Sequence, residues 1–327
     1  MKTVIITGAN GFVGSNLCKE LLNNGYQVKA LHRKGSNIKT LEGLSVKLVE
    51  GDICDIESLT KAFQGCDGVF HIAALFRQAK NPDKVYWDIN LEGVKNVFDV
   101  AIKEGVQKII HCSTVGVHSH IPNPPATEEE DYRPGDIYQE TKAAGEKLAL
   151  EYFKANKIKG AVIRPAMIWG QGDERTLKLF KGIATRKFPL IGNGKTLLHW
   201  ILVSDLARSF RLCYEADLNN GEVFIISGQE SVEIQRLYNE IAAAFNVKPP
   251  RFKIPALPIQ VLGSIVEAIC IPLGIEPPIY RRRVDFFTKT RCFDSSKAKK
   301  LLGFKPANNF SDEVKLIANW YKENGWI

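Results

Sequence analysis

Tyr138 and Lys142 are the residue pair whose types and spacing are best suited to moving a proton. A separation of four residues places both side chains on one face of a helix. Chemistry at a carbinol carbon needs a group that gives or takes the hydroxyl proton while hydride leaves or arrives. The phenol of free tyrosine has a pKa of about 10, and a neighbouring ammonium favours the phenolate. The pair therefore predicts acid–base chemistry at an alcohol or a ketone, although an ordinary amphipathic helix has the same spacing.

Two hydroxyl side chains, Ser113 and Thr114, follow an apolar run at residues 108–112 that is predicted to be a strand. Active sites of open parallel sheets lie at the carboxyl ends of their strands. A hydroxyl at this position can hydrogen-bond a substrate oxygen. We therefore expect one of these two residues to act together with Tyr138 and Lys142.

Three glycines lie between the first predicted strand and the first predicted helix. Glycines at such a bend permit a tight turn and let backbone N–H groups approach a pyrophosphate, which the positive end of the helix dipole also attracts. The spacing is Gly-x-x-Gly-x-x-Gly rather than Gly-x-Gly-x-x-Gly, but its position between strand and helix indicates a dinucleotide site. The residues expected to contact the cofactor here are Gly8, Asn10, Gly11, Phe12, Val13 and Gly14.

The end of the second predicted strand bears on the choice between NAD and NADP. NAD-binding folds usually place Asp or Glu there, and its carboxylate repels a 2′-phosphate. This strand ends in His32-Arg33-Lys34, and the Arg33 guanidinium is suited to pair with a 2′-phosphate. NADP is favoured, and NAD stays open because Arg33 can instead stack on adenine or point to solvent. Asp52 and Ile53, after the third strand, are placed to meet the adenine.

Alternating apolar runs and amphipathic segments in the first half predict an α/β fold, a Rossmann-type doubly wound parallel sheet with helices on both faces. After Gly170 only one clear strand is evident. We expect residues 1–168 to form the NAD(P)-binding domain, residues 222–228 to rejoin its sheet, and residues 169–327 to form mostly a smaller, interleaved substrate-binding lobe. The predicted strands are 4–7, 28–31, 46–49, 68–72, 108–112, 161–164 and 222–227, and the predicted helices are 14–23, 56–63, 90–104 and 138–156.

The composition excludes several classes of protein. Apolar residues make up 45% and charged residues 24% of the chain, which is average for a globular protein and excludes disordered and fibrous classes. The net charge of +8 favours anionic ligands, but no basic run is interleaved with aromatics, so a small-molecule substrate is expected and nucleic acid is not. Seven scattered cysteines and the absence of a signal-peptide pattern predict a cytoplasmic protein.

Residues 254–275 are largely apolar. Their three prolines, Gln260 and Glu267 suit a bilayer-spanning helix poorly, so we expect a buried helix of the substrate lobe and no transmembrane span. The alternative to a buried helix is an exposed apolar segment that docks on a membrane surface or contacts an apolar substrate.

The sequence resembles the extended short-chain dehydrogenases/reductases over nearly its whole length. This family includes nucleotide-sugar epimerases and dehydratases and 3β-hydroxysteroid dehydrogenases. The resemblance implies that Thr114 supplies the catalytic hydroxyl, with Ser113 as the fallback, and that Tyr138 and Lys142 also contact the cofactor. The further matching segments are the glycine turn, 71–74, Asn90, 164–166, 203–207 and 294–303, of which His71, Ala73, Ala74 and Pro165 are implied to line the cofactor.

Two kinds of reaction occur among such relatives. Epimerases and dehydratases keep the cofactor bound, whereas dehydrogenases and reductases exchange it at each turnover. We expect the epimerase/dehydratase type acting on a nucleotide-activated sugar, with Trp200 and Arg283 as the implied substrate contacts. Leu197 and Leu198 stand where sugar-nucleotide epimerases often carry an arginine, which weakens that expectation. An NADP-linked 3β-hydroxysteroid dehydrogenase-like enzyme or ketone reductase is the first alternative, and a catalytically inactive cofactor-sensing protein is the second.

Assembly and metal binding are the last expectations. Relatives commonly dimerise through the helix that carries Tyr-x-x-x-Lys, so a homodimer is predicted. His118 and His120 lack a suitably spaced third ligand, so no metal site is predicted.

Overall fold

The structure is a computed structural model that describes residues 1–76, 81–250, 252–270 and 281–327, with only the backbone described at 281–283. Its strands in chain order are β1 (Thr3–Thr7), β2 (Gln27–His32), β3 (Lys47–Glu50), β4 (Gly68–His71), β5 (Lys108–Cys112), β6 (Lys159–Pro165), β7 (Met167–Trp169), β8 (Leu190–Ile191), β9 (Leu197–Leu202), β10 (Glu222–Ile226), β11 (Ser231–Glu233) and β12 (Lys253–Ile254). Its helices are α1 (Phe12–Asn23), α2 (Ile56–Phe63), α3 (Asp83–Trp87), α4 (Gly93–Lys103), α5 (Ile137–Lys154), α6 (Glu174–Ala184), α7 (Val203–Glu215), α8 (Ile234–Ala244), α9 (Ala256–Cys270), α10 (Arg281–Thr288), α11 (Ser296–Leu302) and α12 (Phe310–Glu323).

Seven parallel strands form the central sheet in the order β10-β6-β5-β4-β1-β2-β3. Alternate residues of β1 point to opposite faces. Val4 and Ile6 pack with α1 and α7, and Ile5 packs with α2, α4 and α5. Because both faces are covered, the central strands β1, β4, β5 and β6 are largely apolar and buried, and the predicted doubly wound Rossmann-type sheet is confirmed.

The second lobe is built around β11-β9-β7 and the helices α6, α8 and α12. Three aromatic rings stack through its core: Trp169 lies 4.5 Å from Trp200 and 5.3 Å from Phe310 between ring centroids. The short strands of this lobe were not predicted from the sequence.

Helix α9 corrects the expectation of a buried helix at 254–275. Only Gly263 of α9 is buried, and Leu257 is 69% exposed. Burial is the usual position of such apolar residues, which is why the sequence predicts a core helix here. Residues 271–275 lie outside the described part of the chain. No helix among the described residues has the length and apolar character needed to cross a bilayer.

One carboxyl group, that of Glu313 on α12, is buried in the aromatic core of the second lobe at 2% exposure. Trp169 Nε1 donates to its Oε2 at 2.7 Å. Burial raises the pKa of Glu313 to about 7, the Trp169 hydrogen bond opposes this shift, and the charge of Asp205 adds to it. The folded chain therefore keeps a proton here that the unfolded chain releases above a pH of about 4.5.

We predict that this proton makes stability fall as pH rises. The contribution of Glu313 is fully present below pH 4.5 and is lost as pH rises through about 7, a change of about 3 kcal/mol in the free energy of unfolding. Glu313→Gln, whose amide oxygen can still accept from Trp169, should flatten the change in urea-unfolding free energy between pH 5 and pH 8. Equal pH slopes in wild type and variant would contradict the prediction.

Candidate active site

The predicted site residues lie at one edge of the central sheet, where the carboxyl ends of its parallel strands meet. The glycine turn follows β1, Arg33 follows β2, and Asp52 and Ile53 follow β3. Ala73 and Ala74 follow β4, Ser113 and Thr114 follow β5, and Pro165 ends β6. The fold thus brings residues that are far apart in sequence to one edge.

The glycine turn fits a dinucleotide pyrophosphate. Gly8 has φ of +71°, and a Cβ at Gly14 would lie 2.2 Å from the Gly8 carbonyl oxygen, so the turn closes this tightly only with glycine. Gly11 is the N-cap of α1, and the first turn of α1 contains no acidic residue. The first N–H groups of α1 are therefore open to an anion.

The same turn touches the second lobe. The guanidinium of Arg175 on α6 lies 5.2 Å from the centre of the Phe12 ring. Gly170 approaches both Phe12 and Val203, so that a Cβ at Gly170 would lie 3.4 Å from the Phe12 ring. The glycine turn and the second lobe are in direct contact.

A cavity of about 570 Å³ opens beside the ends of β2 and β3. Arg33, Lys34 and Ser36 line one part of it, and Glu50, Asp52 and Asp55 line another. The Ser36 hydroxyl donates to the Arg33 carbonyl oxygen at 2.7 Å, which closes the loop after β2. Cationic and carboxylate groups therefore share the place where the sequence predicts the adenosine half of the cofactor.

Lys142 is the buried cation of the site, with 3% exposure. Its Nζ donates to the carbonyl oxygen of Cys112 at 2.6 Å, which fixes the ammonium at the end of β5, at the residue before the Ser113–Thr114 pair. Burial lowers the pKa of Lys142, and Cys112 and Glu146 oppose the shift.

Tyr138 lies one turn before Lys142 on α5. Asp136 caps this helix by accepting from the backbone N–H of Gln139 at 2.9 Å, so the helix begins at the residue before Tyr138. The Tyr138 ring is half-buried and meets Phe76 edge to face, with 5.0 Å between centroids. The helix end and the aromatic contact together hold the phenol at the sheet edge.

Thr114 and Ser113 differ in what their hydroxyls contact. The Thr114 Oγ1 accepts from the Gly116 backbone N–H at 3.0 Å and is half-buried. The Ser113 hydroxyl is buried and donates to the Glu146 carboxylate. The Ser113 hydroxyl proton is therefore already used in a hydrogen bond to Glu146. The Thr114 oxygen acts as an acceptor, so its proton can be donated to a substrate.

A buried ion pair lies behind Ser113. Arg164 on β6 contacts Glu146 on α5 at 2.6 Å, and both side chains are almost completely buried. Tyr132 donates to Glu146 at 2.7 Å, and Arg164 NH1 lies 3.2 Å from His118 Nε2. Because His118 Nδ1 lies 2.9 Å from the Asp131 carbonyl oxygen, His118 donates there and accepts from Arg164. Sequence analysis missed Glu146, although its position four residues after Lys142 continues the face that carries Tyr138.

Asn90 ties α5 to the loop after β4. Its Nδ2 donates to Thr141 Oγ1 at 3.0 Å, and its Oδ1 accepts from the Leu75 N–H at 2.8 Å. Thr141 precedes Lys142, so this amide sets the position of the Tyr138–Lys142 face against the sheet.

Two buried histidines are close enough to Lys142 for its charge to affect them. His71 Nδ1 lies 2.7 Å from Thr7 Oγ1, and the His71 and His111 rings are 5.3 Å apart. Burial, with a smaller contribution from the Lys142 charge, lowers the pKa of His71 to about 3 and that of His111 well below its usual value. Both are therefore neutral, and the His71 ring lies below the sheet edge at 1% exposure. Its contact with a cofactor stays a prediction.

The two substrate contacts implied by the sequence are placed differently. Trp200 is buried against Trp169, and its Nε1 has no hydrogen-bond partner among the described residues. The side chain of Arg283 lies outside the described part of the structure. Neither assignment as a substrate contact is tested by this geometry.

The family model of the NAD-dependent epimerase/dehydratase family matches residues 4–227, more than half of the chain. The chain belongs to this family. It is therefore an NAD(P)-dependent enzyme of the extended short-chain dehydrogenase/reductase type, and the predicted resemblance is confirmed.

Individual relatives are distant. The sterol-4-alpha-carboxylate 3-dehydrogenase (decarboxylating) of Mus musculus is 28% identical, over 96% of this chain and 89% of the mouse protein. The 2-alkyl-3-oxoalkanoate reductase of Shewanella oneidensis is 27% identical, over 95% and 84%. The structure of UDP-glucuronic acid 4-epimerase from Bacillus cereus in complex with NAD has a TM-score of 0.79 at 23% identity, covering 98% of this chain and 99% of that one. The last of these shows a shared fold.

The buried pair makes a stability prediction. Arg164→Leu leaves the Glu146 carboxylate buried without its cation, and should lower the free energy of unfolding by about 3–5 kcal/mol. The double variant Arg164→Leu/Glu146→Leu should recover part of this loss, because no charge then stays buried. Arg236→Leu is the control. It breaks the ion pair with Glu230, in which both side chains are about two fifths exposed, and should lower the free energy of unfolding by about 1 kcal/mol or less. Urea unfolding of the four proteins measures this; equal losses in Arg164→Leu and Arg236→Leu would contradict it.

Proposed function

We propose that the protein is an NAD(P)-dependent oxidoreductase that transfers hydride at a secondary alcohol or ketone carbon of a largely apolar substrate. The observation that carries the chemistry is the Lys142 ammonium, which lies on the helix face of Tyr138 and donates to the Cys112 carbonyl oxygen at 2.6 Å, two residues before Thr114. Together, Tyr138 as the acid–base group, Lys142 as the cation that stabilises its anion and Thr114 as the donor to the substrate oxygen would make up the reaction centre.

The nicotinamide ring would supply or accept the hydride. Tyr138 would move the hydroxyl proton, since the buried ammonium favours its phenolate. Thr114 would donate to the substrate oxygen and hold it near the phenol. Lys142 would act through charge in a site that its surroundings keep dry, where a nearby cation has a larger effect than in water. Ser113, whose hydroxyl contacts Glu146, would position the loop.

Three observations support an apolar substrate. Leu197 and Leu198 begin β9 at the position where a nucleotide sugar would favour an arginine. The second lobe has an aromatic core and carries the exposed apolar helix α9. Two relatives bear the names of enzymes that act on a sterol carboxylate and on 2-alkyl-3-oxoalkanoates, both of which are lipid-like molecules.

A nucleotide-activated sugar is the second candidate, with an epimerase or dehydratase reaction that returns the hydride to the same substrate. The match to the epimerase/dehydratase family model supports it. A protein that only senses the cofactor is disfavoured because both Tyr138 and Lys142 are present.

The domain assignment and the assembly are also proposals. Residues 1–168 with β10 would hold the cofactor, and residues 169–327 would mostly hold the substrate. We also keep the proposal of a homodimer that pairs through α5. Ala143 and Tyr152 of that helix are buried within the chain itself, so they would not form the contact. Sedimentation at micromolar concentration tests the dimer.

Cofactor retention separates the two candidates. The purified protein would be denatured and any released nucleotide identified by mass spectrometry. An empty protein that consumes NAD(P)H with 3-oxo sterols or 2-alkyl-3-oxo acids supports the oxidoreductase. Stoichiometric bound NAD together with turnover of a nucleotide sugar would contradict it.

Removing the phenol hydroxyl should abolish most turnover. Tyr138→Phe should lower kcat by about 10²–10⁴-fold, because the proton then has no positioned carrier. The dissociation constant for NAD(P)H should change by no more than about twofold, since the ring and its Phe76 contact stay. Tyr26→Phe, whose hydroxyl contacts Glu215 away from the site, is the matched control. Unchanged turnover in Tyr138→Phe would remove the acid–base assignment.

For the cofactor we propose NADP, on the basis of Arg33 at the end of β2. Arg33→Ala should raise the dissociation constant for NADPH by about tenfold or more and leave that for NADH unchanged, because a charge-assisted contact to the 2′-phosphate is lost. Lys39→Ala, a cation outside the cavity, is the control. Tighter binding of NADH than NADPH by the wild type would reverse the preference.

A further inference from the structure

Helix α9 presents a wholly apolar face to solvent. Leu257, Val261, Ile265 and Ile269 follow one another at intervals of four residues, which places them on one side of the helix. All four are exposed, by between 51% and 69%, and Leu262 beside them is also exposed. Phe252 and Ile254, on the segment leading into the helix, extend the exposed surface. We call these seven residues the α9 face.

The other sides of α9 differ from this face. Gly263 is buried, and Gln260 Nε2 donates to Thr288 Oγ1 of α10 at 3.3 Å. Ile259 and Val266 are half-buried. The helix is therefore anchored to the second lobe by one side, while its most apolar side is left facing outward. Continuous exposed apolar patches of this kind mark interaction surfaces in soluble domains.

Charge around the α9 face indicates the occupant. From residue 248 to residue 283 the sequence carries six basic residues (Lys248, Arg251, Lys253, Arg281, Arg282 and Arg283) and two acidic ones (Glu267 and Glu276). Lys248 and Lys253 are exposed, and α10, which contacts α9, begins with the three arginines. An exposed apolar face within a segment of net positive charge suits the interface of an anionic bilayer, because burial of apolar side chains and attraction to anionic headgroups both favour binding there.

A second copy of the chain fits this face less well. Pairing two α9 faces would bring the flanking cations of both copies together, and like charges at an interface oppose association. No helix among the described residues meets the requirement for crossing a bilayer, so the contact would lie on the membrane surface.

We propose that the α9 face docks the protein onto a phospholipid surface that contains anionic headgroups. This goes beyond the proposed function and does not depend on it. The anchoring side of α9 leads through α10 to the second lobe, where Phe286 meets Trp200 edge to face, with 6.3 Å between centroids. Docking through this face would therefore hold the second lobe against the bilayer, from which an apolar substrate could enter.

The test is flotation of the full chain with vesicles of phosphatidylcholine alone and of phosphatidylcholine with phosphatidylglycerol. We expect binding to the anionic vesicles, weakened by added salt because the flanking cations are screened. Leu257→Glu/Ile265→Glu should lower the bound fraction by about tenfold or more. Ile56→Glu, at a site that is 53% exposed on α2, should bind as the wild type does. Thermal melting followed by circular dichroism checks that each variant folds. If the double variant does not fold, the milder Val261→Gln takes its place.

Three outcomes would overturn the proposal. Wild type that floats with neither vesicle excludes membrane docking. Binding that the α9 variants retain, or that Ile56→Glu loses equally, places the contact elsewhere. A dimer that sedimentation detects in the wild type and not in Leu257→Glu/Ile265→Glu, together with no vesicle binding, assigns the face to a second copy. None of these readouts uses cofactor or turnover, so they are distinct from failure of the proposed reaction.

Discussion

The burial of one ammonium group constrains most of the site. Lys142 is held at the carboxyl end of β5 by a backbone carbonyl, and its burial disfavours its charge and lowers its pKa. The neighbouring imidazoles of His71 and His111 stay neutral, so they add no further positive charge. Glu146, four residues on, supplies negative charge from the same helix. Helix α5, which carries Tyr138, and the strand end that leads into Ser113 and Thr114 are both tied to this group.

The Glu146 carboxylate links that group to the scaffold. It contacts Arg164 from β6, Ser113 from the end of β5 and Tyr132 from the loop before α5. Buried ionic groups are costly unless their hydrogen bonds are satisfied, and those of Glu146 are. One carboxylate thus fixes the spacing of two neighbouring strands and one helix at the point where the reaction would occur. The reactive residues stand on a rigid base, as positioned catalysis requires.

Much of this was predictable from the sequence, and the exceptions have physical causes. Runs of β-branched residues located the first six strands to within about two residues, because strands buried on both faces need apolar side chains at every position. The strands β7 and β11 were not predicted because each has only three residues. The six-residue strand β9 was missed although its apolar run was visible in the sequence. Glu146 and Arg164 are 18 positions apart on different elements, so only the fold shows that they pair. The exposure of α9 was only the alternative expectation, because an apolar helix is ordinarily a buried one.

The return of the chain to the central sheet has a consequence for any attempt to divide the protein. After β9 and α7, strand β10 pairs with the outer edge of β6, and α7 covers one face of the same sheet. A fragment ending near residue 168 would lack both. Its β6 edge would show unpaired backbone groups, and its apolar sheet face would lie open, which are the conditions under which sheets associate edge to edge. The first 168 residues are therefore not a separable module, and their solubility depends on sequence that follows the start of the second lobe.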